Sequence, residues 1–63
     1  MSLARFVQVY SNLPINVRKE IVVVVDVDGK PKPISWDVAY IEIKNKTALG
    51  DVILKKLIEL QII

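Results

Sequence analysis

Residues 21–34, I-V-V-V-V-D-V-D-G-K-P-K-P-I, constrain the fold more than any other part of this chain. β-Branched side chains at Ile21, Val22, Val23, Val24, Val25 and Val27 favour an extended backbone, and Asp28-Gly29 suits the two left-handed central positions of a tight hairpin turn. Strands are expected over residues 18–27 and 30–34. In the register such a turn fixes, Val27 faces Lys30, Val25 faces Lys32 and Val23 faces Ile34. Pro31 and Pro33 then stand where a missing N–H points away from the partner strand, so the returning strand is an edge that recruits no further strand. The outgoing strand carries apolar residues on both faces, which a half-solvated two-stranded sheet does not tolerate. Helices are expected over Ile21, Val23, Val25 and Val27. Val22, Val24 and Pro33 are left for another subunit, and the open edge of the first strand is expected to pair across a two-fold axis.

Helical periodicity flanks the hairpin. Leu3, Phe6, Val7, Tyr10 and Leu13 form one apolar stripe, with Ser2 as its cap and Arg5, Gln8 and Asn12 facing outward. Pro14 stops that helix near Asn12. Ser35 caps a helix over residues 36–46, with Asp37 near its positive end and Lys44 and Lys46 near its negative end. Thr47 caps another from residue 48 to about residue 60, on which Leu49, Val52, Ile53, Leu57 and Leu60 form a stripe that Leu54 and Ile58 widen beyond the needs of one core. Asp51 and Lys55 stand at i and i+4 in the favourable order. Gly50 is read as allowing the last two helices to approach closely. The expected architecture is α+β: helix, antiparallel hairpin, two helices, in a single domain over residues 1–63.

Size limits what this domain can do alone. A chain of 63 residues has one small core, and below about 70–80 residues such a core rarely supplies more than roughly 3–5 kcal/mol. Without Cys or His, disulfides and the usual zinc ligands are not available, which leaves subunit association as the stabilising device. Apolar residues make up 52% of the sequence and mean hydropathy is +0.40, more apolar surface than one small core hides. The longest unbroken apolar run, residues 21–25, is far shorter than the roughly 20 residues of a membrane-spanning helix. The first ten residues lack the pattern of a secretory signal. The chain therefore reads as an intracellular, cytoplasmic homodimer or homotetramer whose apolar terminus, Ile62-Ile63, docks on a neighbour.

Nine Lys and Arg against seven Asp and Glu give a formal net charge of +2, too mild by itself to mark a polyanion partner. Placement is more informative. Arg18 and Lys19, Lys30 and Lys32, Lys44 and Lys46, and Lys55 and Lys56 form small basic clusters that add up if subunits share a groove. At 3.6 residues per turn, Trp36, Tyr40 and Lys44 lie along one helical ridge. Flat rings followed by positive charge suit unstacked bases and phosphates, each stacked base contributing roughly 1–3 kcal/mol. The same ridge also fits a plain core role, since Trp and Tyr pair an apolar body with a polar tip. On the first reading Trp36 and Tyr40 stack on bases while Arg18, Lys30, Lys32, Lys44 and Lys46 meet phosphates. On the second the chain is a protein-interaction or scaffold subunit with both rings buried.

Other chemistries fit poorly. Without His or Cys the commonest general base and the most reactive nucleophile are missing, so no enzyme activity and no cofactor are expected. Asp26-x-Asp28-Gly29 looks like a fragment of a calcium loop, but the later ligands do not follow and a hairpin turn explains it. With only Gly29 and Gly50, no phosphate-cradling glycine loop can be built. A helix-turn-helix reading would present Ala48, Leu49, Gly50 and Asp51 to a major groove, side chains that are apolar, absent or negative.

The order helix, valine-rich hairpin, then S-W-D-V-A-Y-I-E-I-K-N-K-T-A-L-G and an I-L-K-K-L helix resembles the N-terminal domain shared by the ThermoDBP group, single-stranded-DNA-binding proteins of thermophilic archaea, and their smaller relatives. That resemblance implies a stand-alone domain that holds single-stranded DNA between subunits of a symmetric oligomer, using the aromatic and basic positions Trp36, Tyr40, Lys44 and Lys46. Nothing in the sequence marks a contact to a 2′-hydroxyl, so RNA stays open as a ligand. No small-molecule substrate and no membrane are expected as partners.

Overall fold

The computed structural model describes residues 2–63, and its elements follow the expected α+β order. They are α1 (Ser2–Ser11), β1 (Ile21–Val27), β2 (Lys30–Ser35), α2 (Trp36–Lys44) and α3 (Ala48–Glu59), with a short 3₁₀ turn (Val17–Lys19) between α1 and β1. The Ser2 cap falls on a side chain outside the described set. β1 and β2 pair antiparallel with Val27 opposite Lys30, Val25 opposite Lys32 and Val23 opposite Ile34, as the turn chemistry dictates. Asp28 and Gly29 both have positive φ, 52° and 78°, the pattern of a type I′ turn.

Three boundaries differ from expectation for local reasons. Arg18 is not in a strand: the Val17 and Arg18 amides both donate to the Pro14 carbonyl and Glu20 donates to Val17, closing a 3₁₀ turn over residues without β-branching beyond Val17. β1 carries a bulge between Ile21 and Val23, which shifts the side-chain phase by one residue. Ile21 is consequently 55% exposed, while Val22 turns inward and packs against the core, the reverse of the simple alternation. α2 ends two residues early, because Lys46 adopts a left-handed conformation with φ 56°. Its amide donates to Ile43 and that of Thr47 donates to Glu42, a Schellman closure. The end of α3 repeats it, with Gln61 left-handed and Ile62 donating to Leu57.

The core is formed where α1, α2 and α3 cover one face of the hairpin. Phe6, Val23, Val25, Ile34, Ala39, Ile43, Ile53 and Leu57 are buried. Of the broad α3 stripe, Ile53 and Leu57 enter the core, whereas Val52, Ile58 and Leu60 stay exposed. Leu3 and Val7 on α1 are also more exposed than their stripe suggests. Ile63 packs against this same core rather than waiting for a neighbour. On the α3 surface the ion pair joins Lys56 and Glu59 at 3.7 Å, not Asp51 and Lys55. The expected caps of α2 and α3 both form: Ser35 Oγ accepts from the Val38 amide at 3.2 Å and Thr47 Oγ1 from the Gly50 amide at 2.9 Å.

Gly50 is buried at the α2–α3 crossing. A Cβ there would collide with the Glu42 carbonyl oxygen and sit 2.6 Å from the carbonyl carbon and 2.9 Å from the Ile43 nitrogen. The helices meet backbone to backbone, which fixes the direction α2 takes across the domain.

Candidate functional site

Ser35 starts α2 so that Trp36, Tyr40 and Lys44, at i, i+4 and i+8, lie along one ridge, and the two rings of that ridge face α1. α1 presents its own i, i+4 pair, Phe6 and Tyr10. The two pairs meet ring to ring: Phe6 and Trp36 have centroids 6.1 Å apart at 28°, and Tyr10 and Tyr40 are 4.4 Å apart at 11°. Phe6 is fully buried, while Tyr10, Trp36 and Tyr40 are half-buried at its rim.

Charge closes this stack at both ends. The Arg18 guanidinium carbon lies 4.5 Å from the Tyr10 centroid, and because Tyr40 already lies nearly parallel over one face of Tyr10, Arg18 takes the other. Lys44 Nζ stands 5.5 Å from the Tyr40 centroid. The order is therefore Arg18, Tyr10, Tyr40, Lys44, a ladder of two rings between two cations, each end contact worth about 0.5–1 kcal/mol at an accessible site. The 3₁₀ turn that removed Arg18 from a strand is what delivers it here, and its Nη2 also donates to the Ser11 carbonyl at 3.3 Å.

Asp37 in the first turn of α2 ties the ladder to α1. Its Oδ1 accepts the Tyr10 hydroxyl at 2.5 Å. That bond holds the phenol proton and raises the Tyr10 pKa above its ordinary value, with burial adding to the rise and the nearby carboxylate charge adding further, while Arg18 opposes it.

The structure thus brings Arg18, Trp36, Tyr40 and Lys44 into one cluster and adds Tyr10 and Asp37, which the sequence reading placed only as a core position and a helix-end charge. An aromatic residue with a hydroxyl four residues after Phe6 in an apolar stripe was the available signal. Lys46 is exposed just past the end of α2. Lys30 and Lys32 are exposed on β2, opposite Val27 and Val25, and no hydrogen bond, ion pair or cation–ring contact of the described residues links them to the ladder. No helix of the described residues is long and apolar enough to cross a membrane. No protein-family model, curated protein or solved structure matches this chain.

Proposed function

We propose that assembled copies of this chain bind single-stranded nucleic acid, DNA in the first instance, with little sequence preference and without catalysing a reaction on it. The observation that carries the reading is the half-buried ladder of rings and cations. Single strands need flat rings for bases and fixed positive charge for phosphates, and no base-edge code. Trp36 has Phe6 against one side of its ring and is the candidate platform for a base. Tyr40, whose faces are taken by Tyr10 and Lys44, acts by aiming the Lys44 ammonium. Lys44, Lys46 and Arg18 meet phosphates near the platform, and Lys30 and Lys32 extend the cationic path from the hairpin. The resemblance of residues 35–50 to the archaeal ThermoDBP group points the same way.

A second reading, a protein-interaction or scaffold subunit, draws on the mutual stacking of Tyr10 and Tyr40, which spends ring faces that bases would otherwise use. Fluorescence of Trp36, the only Trp, separates the two. Titration with oligo-dT is expected to quench it more than duplex of equal length does, and the affinity is expected to fall with salt with a logarithmic slope of about −0.7 per phosphate neutralised. No response to either ligand, or a folded Trp36→Ala variant with full affinity, would remove the stacking role and leave the scaffold.

A further inference from the structure

The sheet has two edges, and they are built differently. On β2, Pro31 and Pro33 sit opposite Asp26 and Val24, at positions whose N–H would point outward, so that edge has lost its donors. On β1 the same pattern leaves the N–H and C=O groups of Val24 and Asp26 pointing away from β2, and among the described residues neither makes a backbone hydrogen bond to another element. Beside this edge runs a groove of about 340 Å³, with Val24, Val25 and Asp26 on the strand side and Val52, Lys55, Lys56 and Glu59 on the α3 side. Its apolar lining is Val24, Val25 and Val52, of which Val24 and Val52 are 49% and 47% exposed.

We propose that a second copy of this chain occupies that groove by antiparallel β1–β1 pairing about a two-fold axis. The inference deepens the self-association in the reading above and does not depend on nucleic acid. Three features favour a copy over another occupant. The groove carries two Lys and two acids, so it is neutral: it offers no field to a polyanion and matches itself under a two-fold rotation. Of the three symmetric registers through the outward groups, two place Val24 opposite Val24 of the second copy, or opposite its Asp26, and keep the two carboxylates from facing each other, while the third, Asp26 opposite Asp26, is disfavoured by like charge. The product is a four-stranded sheet whose outer strands are both β2, each lacking donors at Pro31 and Pro33. Growth by strand addition therefore stops at two chains, which gives the proline pair a purpose. A stable contact needs roughly 500 Å² from each copy, about a ninth of the 4436 Å² surface, and the strand edge with the exposed flank of α3 supplies a strip about 23 Å long.

Val24→Pro tests this, because the substitution deletes an outward N–H and leaves the β1–β2 hydrogen bonds in place. Sedimentation equilibrium without nucleic acid, from about 1 to 100 µM, is expected to show the wild type at twice the 7.1 kDa chain mass and a Val24→Pro variant of unchanged circular dichroism at the single mass. Amide exchange on the wild type decides the matter even if the variant does not fold: the Val24 and Asp26 amides are expected to be protected at high concentration and to lose protection on dilution. A monomeric wild type, a folded variant that still dimerises, or a dimer with both amides unprotected would overturn the proposal. None of these readouts involves the Trp36 response to oligo-dT, so failure of the dimer and failure of nucleic-acid binding are told apart.

Discussion

Replacing Gly50 by Ala sets two effects of opposite sign against each other. Within a helix, Ala is favoured over Gly by about 0.8–1 kcal/mol, so propensity alone predicts a more stable protein. The new methyl, however, would overlap the Glu42 carbonyl oxygen and lie 2.6 Å from the carbonyl carbon, where contact between carbons settles at about 3.5–4.0 Å. All three close atoms belong to the backbone of α2, so no side chain can swing aside, and α3 must retreat by roughly 1 Å. That retreat loosens Ile53 and Leu57, both fully buried, at an overpacking cost of about 1–3 kcal/mol. It also stretches the cap from Thr47 Oγ1 to the Gly50 amide, worth about 1 kcal/mol. The net is a destabilisation of about 2 kcal/mol, which in a domain of this size lowers Tm by roughly 8–16 °C. Urea denaturation at fixed protein concentration, followed by Trp36 fluorescence and circular dichroism, reads the change. A Gly50→Ala variant as stable as the wild type, or more so, would refute the backbone-to-backbone crossing.

The left-handed Lys46 offers the opposite prediction. A residue with a Cβ at φ 56° is strained by about 1–2 kcal/mol relative to right-handed backbone, so Lys46→Gly is expected to raise stability by up to about 1 kcal/mol in urea melts, while lowering the salt slope of single-strand binding if Lys46 meets a phosphate. Tyr10 sets an alkaline limit. With its folded pKa raised above the ordinary 10.0, the stabilisation is fully present below that pH and is lost as pH climbs through the folded value. Phenolate absorbance should show a late-titrating tyrosine that returns toward ordinary behaviour in Asp37→Asn, and a titration unaffected by that change would exclude the Tyr10–Asp37 bond.

What the sequence made legible was local. Asp28-Gly29 determined the turn type and with it the register, and Pro31 and Pro33 identified the closed edge. Ser35 and Thr47 declared both helix starts, and Gly50 declared the close crossing. Each of these rests on a single residue's backbone or hydrogen-bonding chemistry, which neighbours do not alter. The misread features depend on two segments at once. Nothing within β1 announces the bulge at Ile21 to Val23, which exchanges the exposures of Ile21 and Val22. A 3₁₀ turn closed by Pro14 carries Arg18 to Tyr10, and the face of Tyr40 is decided by where α1 puts Tyr10. The ridge Trp36, Tyr40, Lys44 was correct as a line along a helix, but its direction was a tertiary property.

The two surfaces that emerge share no residue. The ladder is built from α1, the 3₁₀ turn and α2, whereas the open edge and its groove belong to β1 and α3. Association is thus not needed to complete a ring stack, which each protomer forms from its own Phe6, Tyr10, Trp36 and Tyr40. Under the dimer proposed above, assembly would instead multiply ladders. Two of them on one particle turn the second contact with a long strand into an intramolecular event, and such linkage can exceed single-site affinity by about 10²–10⁴ when the geometry permits both contacts. On the proposed reading this eases the tension between a mildly charged chain and a polyanion ligand: a net charge of +2 gives one copy little field, and repetition would supply the strength. The same proposal gives a role to the open edge of β1, the most apolar strand in the sequence.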